Sequence, residues 1–239
     1  MRDPDPRPLP YDPARVKVIA CATVIEEMTA LMPPDMAREV LDFGLHLHPG
    51  ELTGALQAAI DASPGFDTLL LGYGLCSKAV VGLRASTATL VVPRVDDCIA
   101  IFLGSCDAYR EQARQEPGTY YLTKGWIEVG DSPFDEERRL AARYGEAMAA
   151  RMVGLMLRNY TRLALINTGA HDIDRYRDYA RRTAERFGLR FEEIAGAPSL
   201  VEKLLFGPWD QECVVVPPGG TIVLDDFMGP GPGMANRVS

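Results

Sequence analysis

Three short apolar runs, each followed within a few residues by a thiol, constrain this chain more than anything else in it. They are Val16-Lys17-Val18-Ile19-Ala20, Thr68-Leu69-Leu70-Leu71 and Thr89-Leu90-Val91-Val92. Each is too short for a stable helix, rich in branched residues and closed by a turn, the pattern of a strand buried on both faces. Between the first two lies a segment with helical spacing of small and apolar residues, through Ala55, Leu56, Ala59 and Ile60. Alternating strand and helix has one economical solution, a parallel sheet with helices on its faces. The expected class is therefore α/β: two Rossmann-like parallel-sheet halves joined by a long helix, in a three-layer αβα arrangement.

The punctuation of the chain refines this. A helix over about 23–32 stops before Pro33-Pro34, since proline cannot continue it. A strand around Gly44-Leu45-His46-Leu47-His48 would set both histidines on one face, and Pro49 then suits the first position of the next helix. One helix opening at Asp96-Asp97 is expected to run through Ile99, Phe102, Leu103 and Tyr109 to Pro117-Gly118, with a polar and aromatic loop or edge strand after it. Ser132-Pro133-Phe134-Asp135 combines a capping side chain, an N-terminal proline and an acidic first turn. From there Leu140, Tyr144, Ala147, Met148, Met152, Leu155 and Met156 predict one long amphipathic helix to about Tyr160.

Strands at 163–166 and 191–194, a helix at 172–187 ended by Gly188, a helix at Ser199–Phe206 and a strand at Cys213–Val216 complete the reading. The expected organisation is an arm (1–12), an N-terminal half (13–131), a connecting helix (132–160), a C-terminal half (161–228) and a tail (229–239).

A formal charge of −8 over 239 residues argues against nucleic acid or an anionic membrane surface, both of which reward a basic face, and leaves a small-molecule substrate or a protein as partner. No apolar run approaches a membrane span. The opening Met-Arg-Asp-Pro-Asp-Pro-Arg-Pro lacks the apolar core of a secretory signal, so a cytoplasmic protein is expected. In that compartment the five cysteines (21, 76, 98, 106 and 213) are expected to be thiols or metal ligands.

Cys21, Cys76 and Cys98 stand at or just past the ends of the three runs. In an open parallel sheet that edge is where ligands bind. Three converging thiolates repel one another unless a cation takes their charge, so a shared metal site is the leading reading. Three protein ligands leave one coordination position open, as in a working site. A [4Fe–4S] cluster and a zinc ion both satisfy this, and independent core cysteines or a single redox thiol are the alternatives. Cys98 in the first turn of a helix would gain thiolate character from the helix end. Cys106, on the same expected helix, would lie about 12 Å further along its axis, and Cys213 at the head of Val-Val-Val reads as a buried hydrophobe.

Other candidates carry less. Gly72-x-Gly74-x-x-Ser77 lacks the third glycine of a dinucleotide fingerprint. Arg94, Lys78 and Arg84 are cations near the strand edge, and either anchor an anion or solvate a surface. His171, in the turn after the strand at 163–166, suits proton transfer across an inter-half cleft or a plain helix start. Tyr120, Tyr121, Thr123 and Lys124 are candidates to supply a phenol or an ammonium to the same cleft.

The segments Gly-Tyr-Gly-Leu-Cys-Ser (72–77), Pro-Arg-Val-Asp-Asp-Cys-Ile (93–99), Leu-Gly-Ser (103–105) and Pro-Gly-Thr-Tyr-Tyr-Leu-Thr (117–123) resemble the bacterial and archaeal family catalogued as domain of unknown function 1638. The likeness extends from about Val16 to the Val-Pro-Pro-Gly near 216–219. It implies an association with corrinoid-dependent methyl transfer, and hence a corrinoid protein or methyltransferase as a partner. In plan, not in motif, the chain is similar to quinolinate synthases, which hold a cluster with three cysteines and an open iron. The expected function is a metal-dependent enzyme, a lyase or transferase, whose site at Cys21, Cys76 and Cys98 acts as a Lewis acid on a small polar metabolite, with His171, Arg94 and Lys124 as catalytic candidates. The alternative is a non-catalytic metal-binding or redox-sensing accessory of a corrinoid methyltransferase system.

Overall fold

The computed structural model describes residues 11–130 and 132–228; most of the expected arm and the whole of the expected tail lie outside them. The chain is an α/β protein of the three-layer αβα type, built on one mostly parallel sheet and one parallel sheet. It divides into two compact units, one of residues up to Cys98 together with those from Leu200 on, the other Ile99–Ser199.

The first unit carries β1 (Val16–Cys21), β2 (Ala37–Leu41), β3 (Thr68–Gly72), β4 (Thr89–Pro93) and β8 (Cys213–Val216), in the order β2-β1-β3-β4-β8. The three apolar runs become β1, β3 and β4, adjacent parallel strands in the middle of this sheet. Val18, Ile19, Leu69, Leu70, Leu71, Leu90, Val91 and Val92 are fully buried there, which is why their runs are continuous rather than alternating. The edge strand β2 does alternate between half-buried and exposed positions.

Helices α1 (Ala22–Thr29) and α2 (Pro49–Asp61) make the crossovers, with Pro49 in the first turn of α2 as expected. α2 buries Leu52, Leu56, Ala59 and Ile60, one stripe at helical spacing. The chain steps from β1 outward to β2 and then back across β1 to β3. Right-handed crossovers then put α1 and α2 on opposite faces, and β1/β3 becomes the point where the winding reverses.

Two expectations fail in this unit. Phe43–Leu47 is a short 3-10 helix, not a strand, and the strand lies earlier, at β2. Asp42 decides this: its carboxylate accepts the Gly44 amide at 2.8 Å and closes a turn that a strand would have to leave open. The run at Cys213–Val216 does form a strand, but it pairs antiparallel with β4, Pro93 opposite Cys213, and so belongs to the first sheet instead of the C-terminal half.

The second unit has a parallel sheet in chain order, β5 (Thr119–Leu122), β6 (Arg162–Asn167) and β7 (Arg190–Ala195). Two expected single helices are pairs. The segment after Cys98 breaks into α3 (Cys98–Leu103) and α4 (Cys106–Gln115) at Gly104, whose φ is +84°, and Ser105 caps α4. The long connecting helix breaks into α6 (Pro133–Tyr144) and α7 (Glu146–Leu157) at Gly145, φ +82°, and the two helices pack along each other inside this unit. Each glycine takes a backbone conformation that an L side chain resists. Hydrophobic spacing alone runs through such a break unmarked.

The core of this unit gathers Leu122, Phe134, Leu140, Val153, Leu163, Leu165, Tyr176 and Ala180. α5 (Lys124–Val129) and α8 (Asp174–Arg186) complete it, and α9 (Ser199–Phe206), exactly as long as expected, leads the chain back to the first unit. Beneath β6 the guanidinium of Arg162, 2% exposed, donates to Thr119, Glu192 and Gln112, so a buried charge is fully engaged. Among the described residues no helix is long and apolar enough to cross a membrane.

Candidate functional site

Cys21 ends β1 and caps α1, Cys76 lies four residues past the end of β3, and Cys98 opens α3 five residues past the end of β4. All three belong to the first unit and stand at the carboxyl ends of neighbouring parallel strands, beside the point where the winding reverses. Crevices for ligands form at this place in open α/β sheets because the flanking loops diverge there.

Two glycines let the loops come together. A side-chain carbon on Gly72 would lie 2.6 Å from the Cβ of Ala20 and 3.2 Å from Val24, so β3 can approach β1 and α1 only without one. On Gly74 it would lie 2.9 Å from both the side chain and the carbonyl oxygen of Val95. The loop after β3 is then zipped to the loop after β4, with the amide of Leu75 donating to Val95 at 2.8 Å and that of Cys76 to Asp96 at 3.0 Å. The glycines that resemble a nucleotide fingerprint thus serve to pack a cysteine loop.

Beyond them the backbone is strained. Cys76 and Lys78 have φ of +45° and +71°, the two non-glycine residues in the left-handed region among those described. Such a conformation costs roughly 1–2 kcal/mol per residue, and it collects where a structure must aim a side chain.

Cys21 and Cys98 are buried, and Cys76 is partly exposed. No disulfide joins any two of the five cysteines. Burial pushes Cys98 well above its ordinary value, and the neighbouring Cys76, Cys21 and Asp97 push it further. Cys76 is raised to about 12 by burial first, with Cys21 and Asp97 adding to it against the amides of Gly74 and Cys98. Cys21 is raised by burial too, with Thr23, whose hydroxyl is 3.2 Å from the sulfur, pulling the other way. The thiolate character expected for Cys98 from its helix position is therefore overturned: α3 is only six residues long, and burial outweighs the helix end. Burial keeps all three protonated at neutral pH, and Cys76 and Cys98 are raised further by the charge a neighbouring thiol would carry on losing its proton.

The donor chemistry suits a soft or borderline metal, but the side chains do not form a coordination sphere. Among the described residues no group of three or more His, Cys, Asp or Glu side chains is arranged to hold a metal ion. Loading the site requires the thiols to lose protons and turn toward a common centre.

Tyr73, which no spacing rule singled out, lies within electrostatic reach of all three cysteines. It is 1% exposed, its hydroxyl has no hydrogen-bond partner, and the charges of Cys21, Cys76 and Cys98 add to burial in raising its pKa. The ring of His46 stacks on it at 5.9 Å between centroids and 25° between planes. A tyrosine between two glycines in a thiol-bearing turn was the available signal; its burial was not.

The remaining candidates go elsewhere. Arg94 is in the first unit, where its guanidinium donates to the carbonyls of Asp226 and Cys213, tying down β8 and the turn after it. Lys124 is in the second, 2.8 Å from Glu128 and over the ring of Tyr176. His171 stands in the loop between β6 and α8 of that unit, so the structure does not gather Arg94, Lys124 and His171 within one unit. Tyr120 is packed edge-on against Phe134 and Tyr160, Tyr121 is buried, and Thr123 caps α5. His46 and His48 do not alternate on a strand: one is in the 3-10 turn and the other caps α2. Lys78 is exposed, and the Arg84 backbone bridges to Thr221. Cys106 opens α4 in the second unit, off the helix that begins at Cys98, and Cys213 is a buried strand residue whose thiol burial lifts to about 12.

The model of the family described as "Protein of unknown function (DUF1638)" matches residues 40–205, more than half of the chain. The chain belongs to this family. The match includes Cys76 and Cys98 and leaves Cys21 outside it, so it is shorter at both ends than the motifs suggest. No curated protein and no solved structure matches the chain.

Proposed function

We propose that this DUF1638 protein is an enzyme that binds a metal centre through Cys21, Cys76 and Cys98 and applies it to a small polar metabolite. The observation that carries the reading is the placing of three neighbouring thiols at the carboxyl ends of three adjacent parallel strands, with a strained backbone at the middle one. A metal held by three cysteines supplies a Lewis-acid position for a substrate oxygen. A [4Fe–4S] cluster is the leading assignment, suited to elimination or condensation; zinc is the alternative, suited to hydrolysis or alkyl transfer to a thiolate.

The chain's own residues do the rest. The strand ends bring the three cysteines to one edge of the sheet, Cys21 and Cys98 buried and Cys76 partly exposed to solvent. Because the thiols are held protonated, each must release a proton as the metal enters.

The test is metal and acid-labile sulfide analysis of protein purified without oxygen, with its visible spectrum, repeated on Cys76→Ala. Iron and sulfide lost in the variant support the cluster, and stoichiometric zinc lost in the variant supports the alternative. A wild-type protein with neither metal, and none taken up on reconstitution, ends the reading.

One observation favours a second role. Met148, Leu155 and Met156 of α7 are about half exposed (46%, 57% and 48%), an apolar face suited to docking. A metal-binding or redox-sensing accessory of a corrinoid methyltransferase system would use such a face. Stable co-purification with a corrinoid protein, lost in Leu155→Glu, together with no small-molecule response would favour it over the enzyme.

A further inference from the structure

A groove of about 470 Å³ opens in the second unit between α6, α7 and the end of α8. Leu157, Phe187 and Leu189 give it apolar walls, and Ala150 and Gly154 keep the α7 side of it low. A side-chain carbon added to Gly154 would meet nothing within 4 Å, so the space beside the helix is real room. Glu137, which also lines the groove, is paired with Arg186 at 2.5 Å. Arg158, at the C-terminal end of α7, lines it too and enters no ion pair among the described residues. The balance inside the groove is therefore cationic.

The groove does not end at its rim. Met148, Arg151, Leu155 and Arg158 follow one another at helical spacing and are all exposed, which makes one face about 15 Å long beside it. Arg151, like Arg158, enters no ion pair among the described residues. The carboxylate of α7, Glu146, stands in the first turn at none of the spacings that would bring it onto this face. Residues 133–190 hold twelve arginines against eight aspartates and glutamates, in a chain of net charge −8, so the surface is locally basic on an acidic protein.

Charge and shape select the occupant. A second copy docking through the same face would set arginines against arginines with no carboxylate between them. A bilayer is flat and takes up protruding apolar side chains, whereas this face is hollowed beside Gly154. A small molecule held in the groove would leave Met148 and Leu155 in water. A helix with one apolar and one acidic stripe covers all of it, with an apolar side chain in the groove and carboxylates on the two arginines.

We propose that the α7 face and its groove dock an acidic amphipathic helix of another protein, an apolar side chain entering beside Gly154 and carboxylates meeting Arg151 and Arg158. The inference does not rest on the metal site. It gives the apolar face of α7 a partner of defined chemistry.

The experiment is fluorescence-anisotropy titration of the full-length protein against labelled synthetic helices of alanine and leucine that carry glutamate, glutamine or lysine along the polar stripe. The glutamate helix is expected to bind, the glutamine helix about three- to tenfold more weakly, the range of two exposed ion pairs, and the lysine helix not at all. Arg151→Gln combined with Arg158→Gln removes the preference for glutamate over glutamine. Gly154→Leu, which fills the groove without changing a charge, weakens both helices by a similar factor.

A wild type that ignores the glutamate helix, or takes the glutamine helix as tightly, overturns the proposal, and neither result needs a variant to fold. A glutamate preference that survives the double arginine variant overturns it as well. So does sedimentation of the protein alone as a dimer that Leu155→Glu takes apart, which would make a second copy the occupant. Binding to phosphatidylglycerol vesicles in preference to the glutamate helix would make the occupant a membrane and also overturn it. Metal content is measured separately, so the docking and metal readings fail independently.

Discussion

The amide of Cys76 donates to the carbonyl of Asp96 at 3.0 Å, two residues before Cys98. This bond, with its neighbour from Leu75 to Val95, ties the loop of one cysteine to the loop of the next. The site depends on that registration, and the registration depends on Gly74.

Gly74→Ala tests the dependence. Its new carbon would meet the Val95 carbonyl oxygen at 2.9 Å and the Asp97 Cα at 3.0 Å, both backbone, so the two loops must part. Overpacking of this kind costs about 1–3 kcal/mol. The expected result is a folded protein with a lowered melting temperature that retains little metal. Full metal content in the variant would show that the loops need not be registered.

Stability of the metal-free protein should fall in alkali. Burial raises Cys76 from an ordinary 9.0 to about 12 and raises Cys21 and Cys98 as well. Below pH 9 the thiols are protonated in both folded and unfolded chains, and their contribution is complete. Above it the unfolded chain loses protons that the folded chain keeps, so stability drains away until the folded thiols titrate. Each thiol contributes at most about 1.4 kcal/mol per pH unit in that window. Urea midpoints measured from pH 8 upward should decline less steeply in Cys76→Ala than in wild type; parallel curves would show that Cys76 does not titrate as described.

Metal uptake should release protons for the same reason. In weakly buffered solution at neutral pH, zinc added to the metal-free protein is expected to liberate about one proton per coordinating thiol. Apparent affinity then rises steeply with pH. Binding without acidification would mean that the cysteines are not the ligands.

Arg162 offers a check on the second unit. Its buried guanidinium holds Thr119, Glu192 and Gln112, and Arg162→Ala takes one donor from each, leaving Glu192 with Arg190 alone. Breaking a buried charged network costs about 3–5 kcal/mol. A shift below about 1 kcal/mol in chemical denaturation would show that the network is not a stabilising one.

Much of the architecture was legible along the chain. Continuous apolar runs with thiols beyond them marked β1, β3 and β4 and placed Cys21, Cys76 and Cys98 at strand ends, because burial on both faces leaves its mark on every residue of a strand. Pro49 and Ser199–Phe206 marked helices by local chemistry that needs no distant partner. His46 was misread because alternation with Leu45 and Leu47 mimics a strand, while the competing Asp42 turn is a single side-chain hydrogen bond. The long helices were over-extended because Gly104 and Gly145 interrupt the backbone without interrupting the hydrophobic period.

What the sequence by itself determined is most of the inventory: the buried strands, the run of several helices, and that a cysteine stands at or a few residues past the end of three of those strands. Only the tertiary structure decided the neighbours. That β1, β3 and β4 lie side by side, that Cys213–Val216 returns antiparallel to β4, and that Tyr73 is sealed within electrostatic reach of the thiols with His46 against it are long-range outcomes. Local periodicity records whether a residue is buried. It does not record against what, because strand pairing and side-chain packing join residues far apart in the chain, and their energies exist only once the sheet has closed around them.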